Sequence, residues 1–149
     1  MTLIALAFSA LAFAQQKETL MTQHARGTFT VKIQPLTPAP AEGILRFSID
    51  KEIHGDLEAT TKGEMFSAGD VKSGVAGYVA IEVVTGTLAG KHGSFALQHS
   101  ATMDKSGPKM TVIVVPGSGT GELKGISGTF DIQIAKGQHS YDLEYKLPE

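Results

Sequence analysis

The chain has 149 residues, of which 42% are apolar, and a formal net charge of −2. That length and apolar content fit one domain with a real core and exclude global disorder. The balanced charge, with no long run of one sign, gives no reason to expect a nucleic-acid or acidic-lipid partner. Cysteine is absent, which excludes disulfides, thiolate metal sites and a cysteine nucleophile.

The chain opens MTLIALAFSALAFAQQKE. Leu3 to Phe13 form an uncharged apolar run that is too short to cross a bilayer as a helix. The run ends in Ala12-Phe13-Ala14, the small-x-small pattern that a signal peptidase needs. The expected organisation is a secretory signal peptide over residues 1–14, cleaved after Ala14, and a single domain over 15–149. The mature protein would be periplasmic or secreted, with no membrane span left.

From Arg26 onward the hydrophobic period is two, the signature of strands. Phe29, Val31 and Ile33 alternate with Thr28, Thr30 and Lys32. Pro35 to Pro40 (PLTPAP) reads as a loop, because proline breaks both ladder and helix. Leu45, Phe47 and Ile49 alternate with Arg46, Ser48 and Asp50. Gly55 to Phe66 is a mixed strand with Leu57, Ala59 and Thr61 on one side. Ala76 to Leu88 carries Val79, Ile81 and Val83, which mark an apolar face; Tyr78 and Glu82 fall opposite it. Gly93 to Met103 puts Phe95, Leu97, His99, Ala101 and Met103 on one face. Met110 to Val115 is apolar on both faces. Phe130, Ile132 and Ile134 form the next strand, and Tyr141, Leu143, Tyr145 and Leu147 the last. That makes about eight strands in a meander, with no amphipathic helix between them.

Two segments repeat with an offset of 35 residues: TGTLAGKHGSFALQ (Thr85 to Gln98) and TGELKGISGTFDIQ (Thr120 to Gln133). Each reads as a β-hairpin with a Gly-x-x-Gly corner. Leu97 matches Ile132, and His99 matches Ile134. The match predicts that His99 points inward among apolar neighbours. A sheet of eight antiparallel strands with one apolar face closes naturally into a barrel, since closure removes its exposed edges. The predicted fold is all-β: a closed eight-stranded antiparallel β-barrel.

The runs HGDLEATTKGEMFSA, GYVAIEVVTGTLAGKHGSFALQHSATM, VVPGSGTGELKGISGTFDIQI and HSYDLEYKLP resemble the bacterial family called domain of unknown function 3224. The resemblance runs from about Gly27 to Pro148. It implies a fold similar to the allene oxide cyclase barrel, of calycin-like build, and it implies no activity.

The five histidines form no HxH or HExxH pair, so no metal site is predicted. GTLAGK at Gly86 to Lys91 is one residue short of a phosphate loop, and no GxSxG elbow exists. No motif calls for a cofactor. The candidate ligand-binding residues are His99, Glu82, Glu58, Tyr78, Tyr141 and Tyr145. His99 reads either as a core imidazole bonded to backbone or a tyrosine hydroxyl, or as the floor of a ligand cavity. Glu82 reads as an outer-face carboxylate, and Glu58 with Glu64 as a surface charge ladder. A bulge in either strand would turn Glu58 or Glu82 inward to meet His99. Tyr141 and Tyr145 lie on an apolar face, where each hydroxyl needs a partner and either could serve His99. Three functions follow. The first is binding of a small, mostly apolar molecule in or at the mouth of the barrel. The second, by analogy with the barrel that the resemblance implies, is a cyclase or isomerase using His99 with Glu58 or Glu82. The third is a packed barrel that acts as an oligomerising module.

Overall fold

The computed structural model describes residues 20–148, so the signal-peptide reading of residues 1–14 lies outside the described part. Eight runs of alternation become eight strands: β1 (Gln23–Leu36), β2 (Ile44–Gly55), β3 (Leu57–Asp70), β4 (Val75–Leu88), β5 (Lys91–Asp104), β6 (Gly107–Val114), β7 (Ser127–Ala135) and β8 (Gln138–Lys146). Each pairs antiparallel with the next, and β1 pairs with β8 from Gln23↔Tyr145 to Phe29↔His139, which closes the barrel. Among the described residues no helix is long and apolar enough to cross a membrane.

One departure from the sequence reading concerns Pro35 and Leu36. They stay in the β1 ladder, opposite Phe47 and Arg46, rather than starting a loop. Beyond Phe29 the other edge of β1 has no partner in β8. A missing N–H therefore costs no ladder bond on that side, and proline is tolerated as on any edge strand.

The two ends of the barrel differ. The far end, where β2 meets β3 and β4 meets β5, is corked by the connection between β6 and β7. A short 3-10 turn, Gly121–Leu123, drops Leu123 and Ile126 into the core, where both are buried. The connection is tied to β5 by backbone and side-chain bonds: Thr120 N donates to Ser94 O (2.8 Å), and His92 N donates to Glu122 Oε2 (2.8 Å). The second repeat copy is therefore not a hairpin. Its first half is the cork, and only its second half is strand. The shared glycines have a different use here. A Cβ on Gly93 would lie 2.2 Å from Thr120 O and 3.2 Å from Leu123. Gly93→Ala is expected to lift the cork and cost about 1–3 kcal/mol, as overpacking does. A urea midpoint unchanged from wild type would show that the cork does not press on β5.

The opposite end carries the turns β1–β2, β3–β4, β5–β6 and β7–β8. Inward-alternating residues there are left open: Ile33, Leu45, Met110 and Ile134 are 47%, 56%, 41% and 66% exposed. Phe47, Met65 and Tyr78 are half-buried just below. The core proper, built on Phe29, Phe95, Leu97, Phe130 and Leu143, lies between this mouth and the cork.

β4 corrects the sequence reading most sharply. Val79, Ile81 and Val83 face solvent, and Glu82 is inside with no exposed surface. The alternation was right, but the faces are exchanged. No bulge is involved, because β4 pairs without interruption with β3 from Val75 to Leu88.

Candidate functional site

Four adjacent strands each contribute one polar side chain to the barrel interior. Lys51 comes from β2, Thr61 from β3, Glu82 from β4 and His99 from β5, and all four residues are buried. The register explains how they meet. Lys51 stands opposite Thr61 across the β2–β3 ladder. Glu82 stands opposite Gly63. A Cβ on Gly63 would come within 2.6 Å of the Glu82 Cβ, so the bare backbone there makes room for the carboxylate and lets Lys51 reach it past β3.

Glu82 is the hub. Its Oε1 accepts from Lys51 Nζ and from His99 Nε2 (2.7 Å), and its Oε2 accepts from the Thr61 hydroxyl (2.6 Å). Burial by itself would push the carboxyl pKa up. The His99 hydrogen bond, the Lys51 charge and hydrogen bond and the Thr61 hydrogen bond outweigh it and hold the pKa at about 2. Lys51 Nζ also lies 5.1 Å from the Phe29 ring centroid, where the aromatic face helps to offset its lost hydration.

The predicted site residues separate. His99 and Glu82 come together. His99 is bonded to a carboxylate, not to backbone or a tyrosine. Glu58 does not join them: it is exposed on the outer wall, with Oε2 3.0 Å from His54 Nδ1 and Oε1 accepting from Gly55 N (2.8 Å). Glu64, on the same outer face, pairs with Arg46 through two 2.7 Å bonds, so the charge-ladder reading of these glutamates holds. Tyr141 and Tyr145 are buried, but neither serves His99. Tyr141 Oη accepts from Leu57 N (3.1 Å), and Tyr145 Oη donates to Gln23 Oε1 (3.1 Å). Tyr78 faces inward at the mouth, and its hydroxyl donates to Met110 Sδ (3.2 Å). Lys51 and Thr61 were missed. The alternation of Phe47 and Ile49 runs on through Lys51 to Ile53, so parity alone would have placed the lysine inside.

Beside the mouth the wall is open, because β1 leaves β8 at Phe29. A cleft of about 490 Å³ lies there between Thr28–Val31 of β1 and Lys136–His139 of the last turn. A second groove of about 390 Å³ runs over the outer wall at Phe66, Val79 and Ile81. Among the described residues no group of histidine and carboxylate side chains is arranged to hold a metal ion.

Residues 25–145 match the family model described as "Protein of unknown function (DUF3224)". The chain belongs to the DUF3224 family. A crystal structure of a protein of unknown function from this family, from Shewanella oneidensis MR-1, is 41% identical and superposes with a TM-score of 0.78. The similarity covers 87% of this chain and 99% of that one. No curated protein matches the chain. The DUF3224 match begins at Ala25 in β1 and ends at Tyr145 in β8, so it takes in all four residues of the buried cluster.

Proposed function

We propose that this protein is exported and binds a small, mostly apolar molecule at the open end of its barrel. The observation that carries this reading is the asymmetry of the two ends. One end is stopped by Leu123 and Ile126, whereas the other leaves Ile33, Leu45, Met110 and Ile134 inward by alternation yet 41–66% exposed. Exposed apolar side chains gathered at the uncorked end of a barrel offer a binding surface. The adjoining cleft of about 490 Å³ is of the size that small-molecule sites use. Export is supported by the apolar N-terminal run and its Ala12-Phe13-Ala14 ending.

The test is native mass spectrometry of protein taken from the exported fraction, paired with displacement of a fluorescent apolar dye. A mass a few hundred daltons above the Gln15–Glu149 chain, lost on denaturation, supports the reading. Leu45→Lys and Ile134→Lys are each expected to weaken dye binding by about tenfold or more, with stability within about 0.5 kcal/mol of wild type, as for other exposed positions. Dye affinity unchanged in both variants would remove the mouth as the site.

A second reading, a proton-transferring isomerase, is favoured by the 2.7 Å contact between Glu82 and His99. His99 would then be the base, since the Glu82 oxygens are already engaged by three donors. A molecule released chemically unchanged after prolonged incubation would overturn it.

A further inference from the structure

His99 is the first fully buried polar residue below the mouth. Its ladder partners Ala80 and Val112 lie level with it, and the next inward row toward the opening is Tyr78, Ala101 and Met110. That row is only partly covered, and Met110 is 41% exposed. Two of the inward neighbours, Ala80 and Ala101, are small, so the wall is thin directly beside and above the imidazole. Tyr78 and Met110 reach each other over Ala101 through one hydroxyl–thioether bond of 3.2 Å. Sulfur is a weak acceptor, so that bond is readily exchanged for a better one.

The hydrogen-bond pattern assigns the ring. The Glu82 carboxylate accepts, so Nε2 carries the proton of the 2.7 Å bond. The charge of Glu82 is already balanced by Lys51. A second proton on the ring would add an unbalanced charge to a sealed cluster, so the neutral tautomer fits, with its lone pair on Nδ1. Among the described residues Nδ1 has no hydrogen-bond partner, and no sealed side-chain nitrogen or oxygen is left without one. Nδ1 is therefore not completely closed off, although only 2% of the His99 side chain is exposed.

We infer that the bound molecule carries an uncharged hydroxyl at its leading end, and that His99 Nδ1 accepts its proton while the Tyr78 hydroxyl turns from Met110 to the same oxygen. This rests on the mouth being the ligand site. A hydroxyl satisfies both groups without adding charge. A carboxylate would set its lone pairs against that of Nδ1 and add a negative charge beside Glu82. An ether can take the bond from Tyr78 but offers nothing to Nδ1.

The experiment uses the full mature chain and three probes of equal chain length: decanol, its methyl ether and decanoate. Each displaces the fluorescent dye, and imidazole ¹⁵N shifts are followed in parallel. Decanol is expected to bind about tenfold more tightly than the ether, the effect of one neutral hydrogen bond made in a dry site. It alone should shift the Nδ1 resonance of His99, and His99→Phe should abolish the preference. Decanol and ether binding equally, or decanoate binding best, would overturn the inference and leave the mouth reading intact. Failure of all three probes and of the dye would overturn the mouth reading, and the inference with it. The ¹⁵N measurement needs only wild-type protein, so the test survives if His99→Phe does not fold.

Discussion

Glu82→Leu is expected to destabilise the protein by about 3–5 kcal/mol, the loss seen when one member of a sealed ion pair is removed. The cause is not the missing attraction so much as what is left behind. Lys51 keeps its ammonium with 3% of its side chain exposed and no carboxylate to meet it. His99 and Thr61 each lose their acceptor as well. Adding Lys51→Met to the same chain is expected to restore most of the stability, since two apolar side chains of similar volume replace the pair. Urea unfolding of the single and double variants closes the cycle. If the double variant is no more stable than Glu82→Leu alone, Lys51 is not the partner that makes Glu82 necessary.

Acid should unfold the wild type through the same carboxylate. In the folded barrel Glu82 titrates at about 2, against an ordinary value of 4.5. Its folded pKa is the lower one, so its contribution is complete above about pH 4.5 and is lost as the pH falls toward 2. Across that window the shift corresponds to about 3 kcal/mol. Glu58, Glu64, Asp104 and Asp142 are also held below their usual values by hydrogen bonds, but at the surface, where water screens the effect. The expected result is a stability profile flat from neutral pH down to about 4.5 and then falling. The steep part should be missing from the Glu82→Leu, Lys51→Met double variant. An equally steep fall in that variant would assign acid sensitivity to the surface carboxylates instead.

Much of the fold was legible because alternation survives in the sequence wherever a strand has one wet face. Phe29 and Val31, Leu57 to Thr61, Phe95 to His99 and Tyr141 to Leu147 all fall on the predicted side. The match between His99 and Ile134 correctly placed the histidine inward. Three features resisted, each for a physical reason. Around Glu82 the larger apolar side chains of β4, Val79, Ile81 and Val83, are on the outside, so hydrophobicity pointed the wrong way and hid it. Lys51 was hidden by its charge, since a buried lysine is rare unless a partner elsewhere in the chain waits for it, and that partner is 31 residues away. The second repeat copy looked like a hairpin because its glycines match those of the first. What the match could not show is that Gly93 and Gly121 meet across the β5–cork contact instead of shaping equivalent corners.

The outward valines of β4 bear on how the chain finds this arrangement. Slid by one residue against its neighbours, β4 would turn Val79, Ile81 and Val83 inward and put Glu82 in water. That alignment would bury three branched apolar side chains but expose Val84 and Leu88, which are buried now, so apolar burial alone does not choose between the two and the strand is locally frustrated. The correct alignment is chosen by groups that only it can satisfy: the Lys51 ammonium, the Thr61 hydroxyl and the His99 N–H, gathered from three other strands, and the gap at Gly63 that admits them. The buried charge therefore acts less as cement than as a proofreading step. It rejects a misaligned barrel that hydrophobic collapse would accept.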